Sequence, residues 1–71
     1  MKDHMLNSLS PRQRQVLREL KQGWTEAEIA RRLGITHSTV HKHVHAIYRQ
    51  FRVHSRAKLL VRFLRRMARA K

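Results

Sequence analysis

Three residues, Gly34, Ile35 and Thr36, constrain this chain most, because they join two helical patterns with almost no slack. Upstream, Thr25-Glu26-Ala27-Glu28 has the spacing of a capping box and opens a short helix with Ile29, Ala30 and Leu33 turned inward. Gly34 supplies the stop, Ile35 an apolar plug and Thr36 the next N-cap. Two helices joined by so short a glycine-bearing turn, with Ala30 small enough for close contact, make a helix-turn-helix.

The remaining segments place this unit in an all-α, four-helix, bundle-like domain over residues 9–71, preceded by a flexible arm at 1–8 that has no hydrophobic period. The helices are predicted at about 11–22, 26–33, 37–51 and 56–69. Ser10 caps the first, with Pro11 at its start and Gln13 three residues after the cap. Val16, Leu17 and Leu20 form its apolar face, Gly23 ends it, and Trp24 reads as a core plug in the turn. In the third helix Val40, Val44, Ile47 and Phe51 share one narrow arc. Ser38, Lys42, His45 and Arg49 lie opposite, with His41 on the shoulder and His43 at the edge of the buried arc, where a structural role is expected. Ser55 caps the fourth helix. Its residues Ala57, Leu60, Leu64 and Ala68 suit the core, and Leu59, Phe63 and Met67 form a second apolar stripe, expected to be exposed and to meet a partner.

Charge says what kind of partner to expect. The chain carries 17 Lys and Arg against four acids, a formal net charge of +13. Nothing acidic follows Glu28, so the third and fourth helices are wholly cationic. Such asymmetry points to a polyanion, most often nucleic acid. With no cysteine there is neither a disulfide nor a thiolate metal site, and no apolar run approaches the ~20 residues of a membrane span. His37, His41 and His45 fall at i, i+4 and i+8, but without a carboxylate or cysteine nearby in sequence they predict no metal site and no cofactor. No paired carboxylates, phosphate-cradling loop or nucleophile–base arrangement suggests an enzyme.

Four blocks in order resemble the LuxR/GerE-type DNA-binding domain: Leu9-Ser10-Pro11-Arg12-Gln13-Arg14-Gln15-Val16-Leu17, then Gly23 to Ala30 with Leu33-Gly34-Ile35, then Thr39 to Val44, then Val53-His54-Ser55-Arg56-Ala57. The resemblance covers about Leu9 to Leu64 and is closest to stand-alone members of the GerE kind, or to a fragment of a larger regulator. It implies a third helix that reads DNA and dimerisation through the fourth. It also implies a transcriptional regulator associated with the bacterial nucleoid, and a cytoplasmic location is the default expectation for a chain with no membrane-length run or signal-peptide pattern. Departures are Gln13 and Gln15 in place of acids, His41 in place of a lysine, and Arg52 in place of a glycine, which demands a left-handed backbone from an arginine.

On that basis His41, Lys42 and His45 are the expected base contacts in the major groove of double-stranded DNA. Lys42 would donate to guanine O6 or N7, and a histidine to guanine N7 or a phosphate. Ser38, Thr39, Arg49 and Arg56 are the expected phosphate contacts, with Arg12, Arg31 and Arg32 either peripheral contacts or solvated. Because histidine titrates close to neutrality, mild acid should add charge to this face. The dimer interface is expected at Leu59, Phe63 and Met67. The alternative is a sigma-factor-like promoter-binding region that also contacts RNA polymerase. A weaker one treats Arg56 to Lys71 as a cationic amphipathic helix for a membrane surface.

Overall fold

The computed structural model describes residues 8–69, with side chains through Arg65. The expected arm at 1–8 therefore lies outside the described residues apart from Ser8. Among the described residues four helices follow one another: α1 (Pro11–Lys21), α2 (Glu26–Leu33), α3 (His37–Phe51) and α4 (Arg56–Arg69). Each begins where the sequence predicts, because each start is set by local side-chain chemistry. Ser10 Oγ accepts from Gln13 N–H at 3.1 Å while Gln13 Oε1 accepts from Ser10 N–H at 3.0 Å. Thr25 and Glu28 repeat that reciprocal pair at 3.1 and 2.9 Å. Thr36 Oγ1 caps α3 through Thr39 N–H at 3.1 Å, and Ser55 Oγ caps α4 through Lys58 N–H at 3.2 Å.

The helix ends share one device as well. Glu19 O accepts from Trp24 N–H at 3.2 Å, Ala30 O from Ile35 N–H at 3.1 Å, and Tyr48 O from Val53 N–H at 2.9 Å. In each wrap the residue before the apolar plug has positive φ: Gly23 at 96°, Gly34 at 69° and Arg52 at 56°. Arg52 thus adopts the left-handed conformation that its place in the sequence demands, without glycine's freedom from a Cβ clash.

The helix starts carry a pH signature. The Thr25 amide and hydroxyl hold the Glu28 carboxyl below its ordinary value of 4.5. A carboxyl depressed in the folded state stabilises above its unfolded pKa, and that contribution is lost as pH falls through the folded value. Thermal melts from pH 6 to pH 3 should therefore fall more steeply in the wild type than in Glu28→Gln. Parallel curves would show that the cap carries no pH-dependent stability.

The core forms where α3 crosses α1 and α2. Val40, Val44, Ile47 and Phe51 are fully buried, joined by Leu9, Val16, Leu17, Leu20, Ile29 and Ala30. Trp24, Leu33, Ile35 and Tyr48 pack around the rim. Glu19, on the buried side of α1, is matched by Arg32 of α2, whose guanidinium also lies 4.2 Å over the Trp24 ring. Arg32, expected to be a peripheral phosphate contact or solvated, therefore has a structural role.

The phase of α4 is the reverse of the sequence expectation. Leu59 is fully buried and Phe63 is 8% exposed, whereas Leu64 is 64% exposed, Val61 46%, Leu60 half-buried and Ala57 exposed. Met67 and Ala68 lie outside the residues whose side chains are described. Leu59 and Phe63 are thus core residues and cannot be the exposed pairing stripe. Arg56 faces the same way: its guanidinium donates to the Leu20 carbonyl at the end of α1, 36 residues away in sequence, at 2.9 Å. At 100° per residue, Leu59 and Phe63 lie on one side of the helix, within about 60° of Arg56. There the Phe63 ring meets Phe51 at 5.2 Å, and the Lys21 ammonium lies 4.6 Å from its centroid.

Candidate nucleic-acid interface

Burying Val40, Val44, Ile47 and Phe51 fixes the rotation of α3 and so decides what faces out. Ser38, His41, Lys42, His45 and Arg49 are all exposed on the resulting outer face. Thr39 is half-buried, and its hydroxyl pairs with that of Thr36 at 2.9 Å. His43 is half-buried beside the core arc, as its position predicts. Arg56 departs from expectation: it is half-buried and donates to Leu20 O, which draws it away from a phosphate-contacting role.

The histidines are organised by a residue that sequence reasoning missed. Glu26, the first residue of α2, places Oε1 3.1 Å from His41 Nδ1 and 3.3 Å from His37 Nε2. The His41 and His45 rings lie 4.2 Å apart at 52°, and His45 continues to Tyr48 at 5.7 Å. Burial, reinforced by the Glu26 charge, raises the Tyr48 phenol above its ordinary value and keeps it neutral. Among the described residues no set of three or more His, Cys, Asp or Glu is arranged to hold a metal ion.

A second cationic surface lies at the α3–α4 corner. Arg52, Lys58, Arg62 and Arg65 line a cleft of about 430 Å³. Only the cationic run of α4 hinted at it, since gathering these side chains depends on the phase of α4 against the core. On another side of α4, a shallower, more apolar hollow of about 330 Å³ is lined by Lys21, Leu60, Phe63 and Leu64. No helix of the described residues is long and apolar enough to cross a membrane.

A trihelical core carrying a glycine-stopped helix-turn-helix, an outward cationic third helix and a fourth helix behind it defines a class of regulatory domain. Residues 7–63 match the family described as bacterial regulatory proteins, luxR family, and the chain belongs to that family. It is 41% identical over 56 residues to the nitrate/nitrite response regulator protein NarL of Escherichia coli (strain K12), covering 79% of this chain and 26% of NarL. It is 42% identical over 52 residues to the probable transcriptional regulatory protein SgaR of Hyphomicrobium methylovorum, covering 73% and 25% respectively. The two-component response regulator PprB of Pseudomonas aeruginosa is 40% identical over 55 residues, covering 78% and 20%. The chain thus spans about a quarter of these relatives' length or less.

Proposed function

We propose that this domain binds duplex DNA sequence-specifically and regulates transcription, with α3 entering the major groove. The observation that carries this reading is the outer face of α3, where Ser38, His41, Lys42, His45 and Arg49 are exposed together over a fully buried apolar arc. A helix so placed presents donors and cations to a groove walled by phosphates. Family membership and regulators among the relatives support the same reading. His41, Lys42 and His45 are assigned to base edges, and Ser38, Thr39 and Arg49 to phosphates.

The working unit is proposed to be a homodimer, each α3 reading one half-site about one helical turn from the other. Pairing is assigned to the outer face of α4 at Leu60 and Leu64, which expose apolar surface beside the hollow over Phe63. A second copy is the occupant this face fits, because a two-fold axis brings the same patch against itself and aligns two reading helices.

Two substitutions separate the roles on α3. Lys42→Ala should cost about 1–3 kcal/mol on the preferred sequence and relax selection at one position. Arg49→Ala should weaken all sequences alike and reduce the salt slope by about 1. Titrations of both variants against selected and random duplexes check this. Equal losses on both duplexes for Lys42→Ala would remove it from base reading.

A further inference from the structure

The contact between Glu26 and His41 bears on which base the domain can accept. An ionised carboxylate has only acceptor sites, so any ring nitrogen that hydrogen-bonds to it must carry the proton. Glu26 Oε1 meets His41 at Nδ1, 3.1 Å away. In a neutral imidazole the opposite nitrogen, Nε2, is then a bare lone pair. Nε2 lies at the outer end of a side chain that is 58% exposed, on the face of α3 turned away from the core. The domain therefore offers the groove an acceptor here, where a histidine of the other tautomer would offer a donor.

We infer that Glu26 is a positioning residue for specificity. By accepting from His41 Nδ1–H, it makes neutral His41 select an amino group of cytosine or adenine and reject guanine. This rests on the reading of His41 as a base contact and changes its expected partner. In the major groove, cytosine N4 and adenine N6 are donors, whereas guanine presents only N7 and O6 acceptors, which would face a second lone pair. Glu26 treats His37 oppositely, meeting Nε2 at 3.3 Å, so one carboxylate fixes two different tautomers. The charged and titratable groups around His41 are Glu26 on α2 and His37, Lys42, His45 and Tyr48 on α3. A second proton on His41 would turn Nε2 into a donor, so the test is made at pH 8, where imidazole is ordinarily neutral.

Nitrogen-15 spectra of the imidazoles in the uniformly labelled, DNA-free chain report the tautomer directly. The expected result is a protonated Nδ1 and a bare Nε2 on His41, with the proton moving to Nε2 in Glu26→Ala. A wild-type His41 protonated at Nε2 overturns the inference without recourse to any variant. In parallel, duplexes are selected from a random pool with the wild type, Glu26→Ala and His41→Ala. The position that loses its preference in His41→Ala should favour cytosine or adenine over guanine by about fivefold or more in the wild type. In Glu26→Ala that preference should vanish or reverse toward guanine. A preference unchanged in Glu26→Ala, despite a moved proton, also overturns the inference. Absence of any sequence selection by a chain whose spectrum shows Nδ1–H refutes the base-reading role instead, so the two failures are told apart.

Discussion

Raising monovalent salt from 50 to 200 mM is expected to weaken DNA binding by the proposed dimer roughly 10³–10⁵-fold. The size of this effect follows from counterion release: each phosphate neutralised by a fixed cation frees a condensed ion, and about six to ten such contacts give a loss of that order. The three to five per copy that this requires are available even after Arg32 and Arg56 are committed to Glu19 and Leu20. Arg49 lies on the reading face, Arg31 is exposed on α2, and Arg52, Lys58, Arg62 and Arg65 gather at the α3–α4 corner. Anisotropy titrations across the salt series measure the slope. A loss of less than about tenfold would mean that phosphates are not what holds the duplex.

The second large effect concerns α4, where Leu59→Ala and Leu64→Ser should behave oppositely. Leu59 is fully buried, so truncating it should cost about 2–5 kcal/mol. A domain of 71 residues has only about 4–11 kcal/mol to lose, so this one change should strip away much of its cooperativity on melting. Leu64 is 64% exposed, and its replacement should move the monomer's stability by no more than about 0.5 kcal/mol. If the outer face of α4 is the pairing surface, Leu64→Ser should instead shift sedimentation to the monomer and abolish cooperative binding to paired half-sites. A stable, monomeric Leu59→Ala beside an unfolded Leu64→Ser would restore the opposite phase of the helix.

The helix starts were legible because Ser10 with Gln13, Thr25 with Glu28, Thr36 and Ser55 act within three residues of themselves. The face of α3 was legible because its apolar residues form one arc with nothing competing. On α4 two apolar stripes of similar strength run side by side, and local pattern could not choose between them. Contacts with other helices decide it: Leu59 and Phe63 pack into the core against residues such as Phe51, and Arg56 on the same side bonds to a carbonyl of α1. The same limit hid Glu26: its carboxylate reaches His37 and His41 only through the crossing of α2 over α3, which depends on packing around Ile29, Ala30 and Val40. Sequence spacing finds what a helix does to itself, and misses what one helix does to another.

The three matching wraps at Gly23, Gly34 and Arg52 have a consequence for how such a domain can diverge. With helix ends closed by backbone and helix starts by short polar caps, neither the turns nor the core draws on Lys42 or His45. Those positions can therefore drift through successive replacements while the scaffold keeps its shape, and, with the base-reading role proposed for them, new operators can be reached without passing through misfolded ancestors. His41 is less free. Its bond to Glu26 couples two helices, so a change of letter at that position calls for substitutions in pairs.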